Sequence, residues 1–168
     1  MTFSSASAAS PPDDVSWLAL CVWDEARGEV CLGQAAVAQV VLNRAARKYA
    51  SDGTVKGAIL GRFQFSGFWF AMENGHYTQI SGDQADAEHE AAILYAQAQK
   101  DRAWASCLIV ARTVLAKSYT SPMPQWAALR SEPNTVLYYN PAICGRPGWA
   151  SPSREVCVIG HHTFFRSA

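Results

Sequence analysis

Two β-branched and aromatic runs, residues 135–139 and 156–165, stand at the far end of a chain whose earlier part reads in helical periods. That order constrains the fold more than any other feature. Helices first and a small sheet last point to an α+β architecture with helix dominant. The first helix is expected over 15–26, after the start signal Pro11-Pro12-Asp13-Asp14 with an Asp as N-cap. A second is expected over 34–49 and a short third over 54–60, after the Ser51-Asp52-Gly53 turn. The stretch 61–77, rich in aromatics and dotted with glycine, reads as a loop lining something. Residues 83–117 return to helical spacing with a break near Lys100-Asp101, and Pro122 and Pro124 end that region. A Pro-, Gly- and Ser-rich loop holding Trp149 joins the two strands.

At 168 residues, 49% of them hydrophobic and 17% charged, the chain fits one domain with a substantial core, expected over 14–168. Fourteen basic residues balance fourteen acidic ones. This argues against nucleic acid or anionic lipid as partner, since both are bound through net positive charge. No apolar run approaches the roughly 20 residues of a membrane span. Six Trp, six Tyr and seven Phe serve either as core or as flat surfaces for an uncharged ligand such as a sugar. Trp17, Trp104 and Trp126 are assigned to the core. The first thirteen residues read as a disordered tail without the features of a signal peptide, so synthesis in the cytoplasm is expected.

Five cysteines, an odd number, do not make a fully paired framework and read as thiols. A Cys144–Cys157 bridge across one loop, or a zinc set of these two with His161, are the alternatives. No CxxC pair supports the zinc set, and neither metal nor cofactor is expected.

Glu25 is the most informative single residue. It follows Leu18 by seven positions, Cys21 by four and Val22 by three, which places its carboxylate on the apolar face of the first helix. Burial disfavours its charged form, and the negative end of the helix dipole acts in the same direction. A carboxyl kept protonated near neutral pH can give a proton to a leaving oxygen. The structural alternative is a buried acid paired with Arg27, Arg44 or Arg47.

The segment Trp23-Asp24-Glu25-Ala26-Arg27-Gly28-Glu29, followed by Gly33-Gln34-Ala35-Ala36-Val37-Ala38 and Val41-Leu42-Asn43-Arg44, resembles the opening of the spore cortex-lytic, SleB-type cell wall hydrolase family. Phe63-Gln64-Phe65-Ser66 resembles its QFS segment, and Leu137-Tyr138-Tyr139-Asn140-Pro141 its YNP segment. Ile159-Gly160-His161-His162-Thr163-Phe164-Phe165 resembles its closing segment, with His161 in place of the usual Asn. The resemblance implies a lysozyme-like fold that cleaves peptidoglycan between N-acetylmuramic acid and N-acetylglucosamine. It implies lytic transglycosylation with a 1,6-anhydro end, and Glu25 as catalytic acid. A hydrolytic muramidase on the same fold, or a wall-remodelling enzyme, is the alternative.

Gln64, Phe65, Ser66, Tyr139, Asn140 and His162 are the matching candidates for substrate binding, with Phe68, Trp69 and Trp149 as further stacking surfaces. His161 and His162 alternate along a strand, so only one is expected to face the site. Glu29 and Glu73 are candidates for a second carboxylate, although Glu29 reads better as a cap or ion-pair partner. Asp24 points about 100° away from Glu25 and is set aside. A lone catalytic domain without an export signal fits a monomeric phage endolysin that reaches the wall through a holin.

Overall fold

The computed structural model describes residues 9–73 and 76–168. The tail expected over 1–13 thus lies largely outside the described residues. Helix α1 (Asp14–Ala26) is the hub of the fold. Asp13 caps it by accepting the Ser16 N–H at 2.8 Å. Leu18, Ala19, Leu20, Cys21 and Val22 are all completely buried. An apolar run buried on every side, rather than on one face, belongs to a helix surrounded by others. Those neighbours are α2 (Cys31–Arg47), α3 (Val55–Ile59), α4 (Gln84–Ala98) and α5 (Trp104–Leu115). Each fully buried Leu or Val in such a position contributes about 1.5–3 kcal/mol. Trp17 and Trp126 lie in the core, while Trp104 packs partly buried against Tyr95.

Helix α2 begins three residues before its expected start and ends at Lys48, whose left-handed backbone returns its N–H to the last turn. The break between α4 and α5 falls where expected, with Asp101 accepting the Ala103 N–H. Two expectations fail. Pro124 does not end a helical region but opens α6 (Pro124–Ser131), since proline at the first helical position lacks only an N–H that would have no partner. The 61–77 stretch is not all loop. A 3-10 turn at Ser66–Phe68 leads into a hairpin of β1 (Phe70–Glu73) and β2 (His76–Gln79).

At the C-terminal end β3 (Thr135–Tyr139), β4 (Glu155–Ile159) and β5 (His162–Arg166) form an antiparallel sheet in the order β3-β5-β4. The run read as one strand over 156–165 is therefore a hairpin. It turns at Gly160, whose φ of +58° suits glycine, and at His161. A bulge between Thr135 and Leu137 interrupts β3. Two side chains of α2 hold the backbone there: Asn43 donates to the Thr135 carbonyl at 2.8 Å and Arg44 Nε to the Val136 carbonyl at 2.7 Å. This clamp fixes which face of β3 each later residue occupies.

All five thiols are free, with Cys144 exposed and Cys157 buried, so the bridge considered between them is not formed. Among the described residues no cluster of His, Cys, Asp and Glu gathers to metal-binding size. Among the described residues no helix is long and apolar enough to cross a membrane.

Candidate active site

A cavity of about 1070 Å³ opens where the end of α1, the 63–80 segment, α4 and the C-terminal sheet converge. Glu25, in the last turn of α1, lies in its lining. The Tyr138 hydroxyl, from β3, donates to Glu25 Oε2 at 2.9 Å. Burial, followed by the negative charge of Asp24, pushes the Glu25 carboxyl up to about 7. The Tyr138 hydrogen bond, the Arg44 charge and the Ser66 backbone N–H act the other way without cancelling the shift. Glu25 is not ion-paired to an arginine as the structural alternative supposed. Arg44 is buried with its head engaged by the Val136 and Gln64 carbonyls and stacked over Phe65 at 4.4 Å. Arg27 lies over Trp23.

Of the two tyrosines of β3, only Tyr139 is expected at the site from the sequence. Tyr138, not Tyr139, reaches Glu25. Tyr139 lines the cavity farther along, stacked on Phe165 and set edge-on to Trp149. Adjacent strand residues face opposite sides, and the bulge held by Asn43 and Arg44 decides which of the two turns toward Glu25.

Gln64, Ser66, Asn140 and His162 also line the cavity. Asn140 Oδ1 accepts the Ala142 N–H and so holds the turn after Pro141. Phe65 does not line it: its ring is only 1% exposed, wedged between Arg44 and Tyr138. Phe68 and Trp69 are likewise core residues, and Trp149 packs on Tyr139 and Phe165. Of the Phe and Tyr side chains in the cavity lining, Phe63 and Tyr77 stand most open, 45% and 53% exposed.

Both histidines line the cavity, contrary to strict alternation, because His161 is a turn residue and only His162 lies in the strand. Glu29 accepts from His161 twice, from the backbone N–H and at Nδ1, the latter at 2.7 Å. It therefore ties the β4–β5 turn to the α1–α2 loop, with His161 as its partner. His162 is buried edge-on against Tyr138, with ring centroids 5.1 Å apart. Burial lowers its pKa, although Glu29 works against the shift. The Glu73 side chain lies outside the described residues.

Asp24, set aside on helical angle, lines the same cavity, and burial raises its carboxyl to about 6. The angle between successive helical residues places their Cβ atoms apart, but the cavity wraps the end of α1 widely enough to meet both.

The sequence profile of the Cell Wall Hydrolase family matches residues 28–165, and the chain belongs to that family. The match begins three residues after Glu25. The fold is similar to the catalytic domain of the germination-specific lytic transglycosylase SleB from Bacillus anthracis. The two are 23% identical over 91% of this chain and 93% of that one, with a TM-score of 0.55, a likeness of fold. No curated protein matches the chain.

Proposed function

We propose that the chain degrades peptidoglycan as a lytic transglycosylase, cutting the β-1,4 bond between N-acetylmuramic acid and N-acetylglucosamine, with Glu25 as its catalytic acid. The observation that carries this reading is a carboxyl raised to about 7, hydrogen-bonded to a tyrosine, in the lining of a cavity of about 1070 Å³. Family membership and the fold shared with SleB support the substrate class.

The protonated Glu25 gives its proton to the oxygen leaving C1 of the muramic residue as that bond breaks. The C6 hydroxyl of the same residue then attacks C1, and the Glu25 carboxylate removes its proton. One carboxyl thus acts twice, no water is consumed and the 1,6-anhydro end forms. Glu29, held by His161, is not needed as a second acid. Gln64 and Asn140 can hydrogen-bond acetamido groups, and His162 buttresses Tyr138.

Asp24 favours a second reading. A second carboxyl in the same cavity could activate water, and a two-carboxylate site hydrolyses. Product masses decide between the two on purified sacculi. Muropeptide ends lighter by one water support the transglycosylase, and ordinary reducing ends overturn it in favour of a hydrolytic muramidase. Lysis of a host from within is part of the proposal. Its test is expression of the chain with and without a holin, lysis that starts when the holin opens being the expected result.

A further inference from the structure

We infer that Phe63 is the stacking platform for a sugar ring next to the bond that Glu25 attacks, and so determines how the enzyme grips long glycan strands. The inference rests on the glycan reading above and names a contact for it. Phe63 has φ +59°, in the left-handed region where a bulky aromatic residue is an outlier held by its surroundings. Its neighbour Phe65 points into the core, whereas the turned backbone keeps the Phe63 ring 45% exposed in the cavity lining. The ring is braced rather than free. It packs edge-on to buried Trp69 and tilted on Phe70, both at 5.3 Å, and Arg62 lies over it at 4.9 Å. Phe70 in turn meets Tyr77 edge-on at 6.3 Å, so the aromatic surface continues along the β1–β2 hairpin.

The occupant follows from what surrounds that surface. A pyranose ring has an apolar C–H face that sits on an aromatic ring and a polar rim that needs hydrogen bonds. Gln64, the next residue, supplies amide groups to the same cavity. Phe63 stands three positions before Ser66, whose N–H faces Glu25, so its Cα lies at most about 10 Å along the backbone from that point. It is placed for a sugar beside the cleaved linkage, not for the reacting one.

The test uses the full chain and soluble strands of alternating N-acetylglucosamine and N-acetylmuramic acid, short and long. Phe63→Ala is expected to raise KM about tenfold on every strand long enough to be cut, while kcat and its pH profile stay put. Phe63→Trp should restore KM and Phe63→Leu should not. Wild-type KM in Phe63→Ala, or equal rescue by Leu and Trp, overturns the inference. If Phe63→Ala does not fold, Phe63→Gly suits the left-handed backbone and is expected to fold and to show the same KM rise; wild-type KM there also overturns it. Strand binding in a Glu25→Gln background keeps the two readings apart. Binding that weakens on Phe63→Ala supports the platform even if the wild type cuts nothing, whereas a wild type that neither binds nor cuts the strands overturns both.

Discussion

On one part of the cavity lining, Glu25, Tyr138 and His162 are set among buried groups, each fixed by packing from several elements. On another, Phe63 and Tyr77 stand open to solvent on a turn and a hairpin. The first part owes its chemistry to burial: removing water from Glu25 is what raises its carboxyl. The second owes its use to exposure, since a platform can stack on a sugar only where part of its ring is left open to solvent. The protein thus places its proton chemistry where the core is tight and its grip where the core gives way.

Breaking the buried part should cost most. Glu25→Gln removes the proton donor while keeping the shape, and glycan cleavage is expected to fall by about 10²–10⁴-fold, read as fragment release from sacculi. Cleavage at the wild-type rate would mean that the acid lies elsewhere. Tyr138→Phe should act through that same carboxyl. It deletes the 2.9 Å hydrogen bond that favours the charged form, so the Glu25 pKa rises further. Since the protonated form is the active acid, the alkaline limb of kcat/KM moves to higher pH. About tenfold in kcat should be lost at the optimum, because proton return from the C6 hydroxyl loses its partner. A limb that stays in place would cut Tyr138 out of the mechanism.

The two parts were not equally legible in the sequence. The position of Glu25 follows from helical spacing, because an α-helix has one period and the residues at i−3, i−4 and i−7 share its face. The end of the chain is less transparent. Nothing in Tyr138-Tyr139 says which ring turns inward, because that parity is set by a bulge clamped from α2, ninety-two positions away in sequence. The aromatic part is the least legible. Phe63, Phe65, Phe68 and Trp69 have the same composition and similar spacing, and only a left-handed backbone at Phe63 turns that ring outward. The β1–β2 hairpin carries no alternating pattern because its β2 residues are all exposed.

A smaller break comes from the β4–β5 turn. Gly160 has φ +58°, and a Cβ there would meet the Glu29 carboxylate. Gly160→Ala should therefore lower stability by about 1–3 kcal/mol, from backbone strain and from displacement of Glu29 off His161. Chemical denaturation measures it. The product type should be unchanged, because Glu29 serves as a brace; a switch of product on this substitution would make it part of the chemistry.

Asp24→Asn is expected to have the smallest effect, and its sign separates a helper from a reactant. Asp24 titrates near 6 and, once charged, is the second cause of the raised Glu25 carboxyl, after burial. Below about pH 6 the wild-type Asp24 is largely neutral, so the Asn variant and the wild type should have the same rate. Above it the wild-type charge holds the Glu25 proton in place and the variant does not. Glu25 then ionises earlier in the variant, and the alkaline limb of kcat/KM moves to lower pH, by up to about one unit. Tyr138→Phe moves the limb the opposite way, so the two variants bracket the wild type. Were Asp24 the base of a hydrolytic muramidase, Asn would lower the rate at every pH instead, because a water-activating carboxylate would be missing throughout.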